Sequence, residues 1–85
     1  MIEKRVDVKL KVGLQARQAA MFVQEANRFH ADIFIEKNGK KVNAKSIMGV
    51  MSLAIARGAE VIVSTEGRDE EKALTILTAL IEKED

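Results

Sequence analysis

This sequence predicts an α+β domain with the order βαββαβα, and three observations carry that prediction. Apolar residues fall at every second position near the start of the chain. They fall at three- and four-residue spacing in two longer segments, and an Asn-Gly pair separates two short β-rich runs. No proline, internal repeat or low-complexity stretch interrupts the 85 residues. Residues 1–85 therefore read as a single domain, with helices covering one face of a sheet.

Val6, Val8 and Leu10 alternate with Arg5, Asp7, Lys9 and Lys11, the pattern of a strand with one wet and one buried face. From Ala16 the period lengthens. Ala16, Ala19, Ala20, Val23 and Ala26 share one helical face, and this helix should end near Arg28 or Phe29. Ile33, Phe34 and Ile35 form a second strand that meets Asn38-Gly39, residues suited to the positive φ angles of a type I′ turn, with Lys40 to Asn43 returning as the third. Ser46 should open a short helix through about Leu53, with Gly58 marking its exit before the strand Val61-Ile62-Val63. The last helix follows Gly67, with Ala73, Leu74, Ile76, Leu77, Leu80 and Ile81 as its apolar stripe. Asp69, Glu70 and Glu71 suit the positive end of its dipole and Lys83 the negative end.

Composition excludes several functions. With no cysteine there is no disulfide, thiolate nucleophile or thiolate metal site, and no metal or other cofactor is expected. A net charge of +1, with three Phe and no Tyr or Trp, lacks the positive field and stacking residues of direct nucleic-acid binding. The start, Met1-Ile2-Glu3-Lys4-Arg5, has no apolar core of an export signal, and the apolar runs are too short for a bilayer. Neither export nor membrane insertion is expected, and the cytoplasm is the expected compartment. The alternating first strand is open to pairing with a second copy, as in a homodimer.

Two segments bear on chemistry: Gly13-Leu14-Gln15-Ala16-Arg17 and Lys45-Ser46-Ile47-Met48-Gly49. Both resemble the HPr family of the bacterial sugar phosphotransferase system, whose carrier motif runs Gly-hydrophobic-His-Ala-Arg and whose regulatory serine precedes a short helix. The resemblance covers essentially the whole chain. It implies a four-stranded antiparallel sheet with three helices on one face, the open-faced sandwich of that family. At the carrier position stands Gln15. A carboxamide nitrogen is not nucleophilic and cannot form the labile phosphoramidate that an imidazole does, so no phosphocarrier activity and no enzyme activity are expected. His30, the one histidine, belongs near the end of the first helix, where a structural role is expected of it. Gln18 stands where the family commonly has proline, a change that should cost little at a helix start.

Ser46 suits a helix N-cap, its oxygen accepting a backbone N–H, and that reading is compatible with phosphorylation. The resemblance implies that an HPr kinase/phosphorylase modifies it with ATP. It further implies that the phosphorylated protein is a corepressor of catabolite control protein A, a LacI-type regulator, so that contact with DNA is indirect. Ile47, Met48 and Met51 share one face of the short helix, and Val50, Leu53 and Ala54 mark another. Only one face can be core. The resemblance favours an exposed docking patch of Ile47, Met48, Met51 and Ala20. Arg17, placed unfavourably for the helix dipole, is the candidate for bidentate phosphate contact, the resemblance placing it close to the phosphoserine region in the partner complex, with Lys45, beside Ser46, and Lys40 and Lys41 as weaker candidates. Two other readings compete: a small phosphate-handling hydrolase built on Arg17, Lys45 and Ser46, and an HPr-like domain in which Ser46 only caps a helix.

Overall fold

The computed structural model describes residues 1–84. It contains β1 (Ile2–Asp7), α1 (Ala16–Ala26), β2 (Asp32–Lys37), β3 (Lys40–Asn43), α2 (Ile47–Ser52), β4 (Glu60–Glu66) and α3 (Glu70–Glu82). The order is the expected βαββαβα. The strands form one antiparallel sheet in the order β1-β4-β2-β3, with Val6 opposite Val61 and Ile35 opposite Val63. Period-two alternation decides which face is covered. Ile33, Ile35, Val61, Val63 and Thr65 point into the core, whereas Arg5, Phe34 and Ile62 lie on the outer face.

The helices lie over the inner face. The last of them, α3, packs on β1 and β4, while α1 packs against both α3 and α2. On α1 the buried residues are Ala19, Phe22, Val23 and Ala26, spaced i, i+3, i+4 and i+7. Ala16, expected on this stripe, is exposed and Ala20 is half-buried. Phe22 takes the place assigned to them, and complete burial of its ring contributes roughly 1.5–3 kcal/mol.

The Asn38-Gly39 turn has φ of 51° and 83°, as a type I′ hairpin requires. Other boundaries move for identifiable reasons. The first strand ends at Asp7, but Val8 and Leu10 stay buried because the chain folds inward: Val8 N–H donates to Ala59 O and Lys9 N–H to Ile81 O, both at 2.9 Å. Side-chain alternation thus outlives the ladder. α1 ends at Ala26 and then tapers, with Arg28 and Phe29 bonded to carbonyls only three residues back. Ala54, with a φ of 49°, turns the chain out of α2, whereas Gly58 serves the later turn into β4. Ala54 is consequently exposed, not core. Lys83 is the C-cap residue of α3, in an extended conformation immediately after the last turn.

Candidate functional site

Ser46 sits at the start of α2 with an extended backbone, and its Oγ accepts a hydrogen bond from Gly49 N–H at 3.1 Å. Its carbonyl accepts from Val50 N–H, so the hydroxyl and the carbonyl together begin the helix. Asn43 prepares this turn. Its Oδ1 accepts from Lys45 N–H at 2.8 Å and its carbonyl from Ser46 N–H at 3.1 Å. A Cβ at Gly49 would stand 3.3 Å from Asn43 O, a tight fit, and 3.4 Å from Ser46 Oγ.

The two ends of α1 are tied to the two ends of the α2 segment. Near the end of α1, Asn27 Nδ2 donates to Val23 O and to Lys45 O, and Lys45 Nζ donates to Phe29 O at 2.8 Å. Near its start, Leu14 N–H donates to Ile55 O at 2.9 Å. The helices therefore run antiparallel. Ser46 lies by the C-terminal end of α1, and Gln15 and Arg17 lie at the opposite end. Nine residues of helix separate Arg17 from Ala26, about 14 Å at 1.5 Å per residue. The structure brings Lys45 and Ser46 together and keeps Arg17 apart from them.

Gln15 is exposed and extended, and its side chain makes no capping bond. Next to it Ala16 has a φ of 49°, a left-handed conformation costing a non-glycine residue about 1–2 kcal/mol. Gly13 holds this strained loop against its neighbour: its φ is 71°, and an added Cβ would stand 2.3 Å from Ile55 O. The guanidinium of Arg17 is exposed and has no ion-pair partner among the described residues. Lys45 differs, since its ammonium already satisfies a carbonyl at the end of α1.

The two faces of α2 are now distinguished. Val50 and Leu53 are buried, whereas Ile47, Met48 and Met51 are 38%, 80% and 49% exposed. An apolar side chain 80% in water gains nothing from the core. Ala20, on α1, is half-buried. Met21, 49% exposed, is a further apolar residue that the alanine-based reading of α1 passed over. Asn27 and Asn43 also went unread as site residues. Asn43 carried a usable signal, an asparagine shortly before a capping serine, but nothing near Asn27 announced its bond to Lys45, 18 residues away.

Among the described residues no cluster of three His, Cys, Asp or Glu could hold a metal ion, and no helix is long and apolar enough to cross a membrane. His30 is exposed beyond α1, its backbone N–H donating to Asp69.

Residues 2–83 match the family described as PTS HPr component phosphorylation site. The HPr-like protein Crh of Halalkalibacterium halodurans is 68% identical over 84 residues, covering 99% of this chain and 100% of that protein. The crystal structure of a phosphocarrier protein HPr from Bacillus anthracis superposes with a TM-score of 0.93 at 68% identity, covering 94% of this chain and 95% of that one. That of Bacillus subtilis Crh, described as a dimer with a swapping domain, superposes at 0.79 with 59% identity, over 100% of this chain and 98% of that one.

Proposed function

This chain belongs to the HPr family, and from that premise we propose that it is a regulatory member whose phosphate is carried on Ser46. The observation that carries the reading is the pairing of Gln15 with Ser46. The carrier position offers an exposed carboxamide, which is no phosphoryl acceptor, while the hydroxyl at Ser46 stands at a helix start beside an exposed apolar patch. A kinase of the HPr kinase/phosphorylase type transfers the γ-phosphoryl group of ATP to Ser46 Oγ, releasing the hydroxyl proton and ADP. The product adds about −1.5 to −2 charges and three strong acceptor oxygens next to free helical N–H groups.

Phosphorylation changes what the surface binds without requiring a new fold. The modified protein docks on catabolite control protein A as a corepressor in carbon catabolite repression, in the cytoplasm. Met48, Met51, Ile47 and Ala20 supply adaptable apolar contact, and Arg17 supplies a guanidinium fork for the partner's acidic groups. Because Arg17 and Ser46 lie at opposite ends of the α1–α2 pair, they engage different parts of the partner. Lys45 braces the serine loop through Phe29 O and leaves two N–H donors for the added phosphate. Direct contact with DNA is not part of this role. By analogy with the swapped Crh dimer, the chain also self-associates.

The hydrolase reading finds no support in this arrangement, which separates Arg17 from Lys45 and Ser46. The test of the main reading is mass spectrometry after incubation with ATP and an HPr kinase. Ser46→Ala removes both hydroxyl and cap, whereas Ser46→Asn removes the hydroxyl but keeps a capping acceptor. One phosphate on Ser46 is expected, absent from both variants, along with no acid-labile phosphate after incubation with phosphoenolpyruvate and the first phosphotransferase enzyme. An unmodified wild type beside a working kinase control would leave Ser46 as a helix cap only.

A further inference from the structure

The helix that presents Ser46 is six residues long, below the length at which a helix is stable by itself in water. It has no acidic residue in its first turn and no basic residue in its last, so its dipole is uncompensated from within. It also ends on Ala54 in a left-handed conformation, with a φ of 49°. The missing cation comes from another element. Lys37, the last residue of β2, donates its ammonium to Leu53 O at 3.2 Å and to Ala54 O at 2.9 Å. It occupies two carbonyls at the C-terminal end of α2 with a full positive charge, and one of them belongs to the strained residue.

We propose that Lys37 is a positioning residue for the surface formed by Ser46, Met48 and Met51, holding α2 formed in the free protein so that kinase and regulator meet it ready-made. Lys37 stands at the hairpin end of β2 and need not touch either partner. Its effect runs through α2, whose N-terminal side is tied down separately by Asn27 and Lys45. With the ammonium gone, Leu53 and Ala54 lose a charged donor, the left-handed exit is less well held, and the last turn opens more often. A partner then has to order it during binding, which weakens recognition while leaving transfer in the bound complex unchanged. This proposal rests on the reading of Ser46 as the kinase target.

The test compares Lys37→Met, Lys37→Arg and Lys4→Met by amide hydrogen exchange and by steady-state kinetics with an HPr kinase and ATP. Methionine keeps most of the aliphatic stem without the charge, arginine restores a donor, and Lys4→Met removes the same charge from β1, at the opposite edge of the sheet. In Lys37→Met, exchange at Val50, Leu53 and Ala54 should quicken roughly tenfold while Val61 and Val63 stay at wild-type rates. KM for the protein substrate should rise roughly three- to tenfold with kcat within about twofold, Lys37→Arg recovering most of the loss. Wild-type exchange in Lys37→Met, faster exchange with unchanged KM, or an equal KM change in Lys4→Met would each overturn the proposal. A wild-type chain that takes no phosphate on Ser46 would overturn the functional reading and the positioning role together, while exchange in Lys37→Met still decides whether Lys37 holds the helix.

Discussion

Gly13 and Gly39 have similar backbones, with φ of 71° and 83°, but different surroundings, and the difference predicts different costs. At Gly39 an added Cβ meets nothing within 4 Å. Gly39→Ala should therefore cost only the left-handed conformation, about 1 kcal/mol. At Gly13 the same methyl would stand 2.3 Å from Ile55 O and 2.8 Å from Ala56 Cα, both backbone atoms that no rotamer change can move aside. Gly13→Ala should cost about 2–4 kcal/mol, since strain and a forced shift of the 55–56 segment add. Thermal unfolding of the two variants checks this: at roughly 4–8 °C per kcal/mol for a domain of this size, Gly13→Ala should melt well below Gly39→Ala. Equal losses would mean that the loop before α1 is not held against Ile55.

Between elements, the contacts that matter join residues far apart in sequence. Asp69 is the N-cap residue of α3, but its side chain makes no capping bond. Its carboxylate instead accepts from His30 N–H at 3.0 Å and Ala31 N–H at 2.8 Å, fastening the start of α3 to the turn between α1 and β2. Hydrogen bonding from the His30 N–H, aided by that of Ala31, holds the carboxyl below its ordinary value of 3.8. A depressed carboxylate pKa stabilises the fold above the unfolded-state value, and that contribution is lost as the pH falls through the folded-state value. Asp69→Asn should therefore melt lower than wild type at pH 7, with the gap narrowing below about pH 4. A gap independent of pH would mean that the charge on Asp69 does not matter. The same distance in sequence explains what could be read beforehand. The Asn38-Gly39 turn, β3, the cap at Ser46 and the apolar stripe of α3 are local chemistry and were legible. The bonds of Asp69, Lys37, Lys45 and Asn27 span 16 to 39 residues, and nothing in their immediate sequence announces a partner. The exposed side of α2 was left undecided by its spacing, because a six-residue helix shows two apolar faces and only packing selects one.

For the molecule as a whole, periodicity gave the sequence of elements but not the strand order β1-β4-β2-β3, since alternation records which face is buried and not which strand lies beside which. That order leaves β1 at a sheet edge, paired only with β4, and joined to α1 by residues 8–15. An N-terminal edge strand on such a connection is the element best placed to be exchanged between two copies: every ladder bond with β4 can be re-made with a partner, and only the connection must change shape. The closed form bends that connection sharply, with Gly13 N–H bonded to Leu10 O and Gly13 pressed against Ile55 and Ala56. An exchanged dimer would have to straighten it, which would free Gly13 from both constraints. Gly13→Ala therefore penalises the closed monomer more than the exchanged dimer, and sedimentation velocity at equal concentration should show a larger dimer fraction for the variant than for wild type, with slow exchange between the two forms. A variant that melts lower yet keeps the wild-type dimer fraction would show that residues 8–15 are not the hinge, and that any self-association uses a surface left intact in the folded monomer.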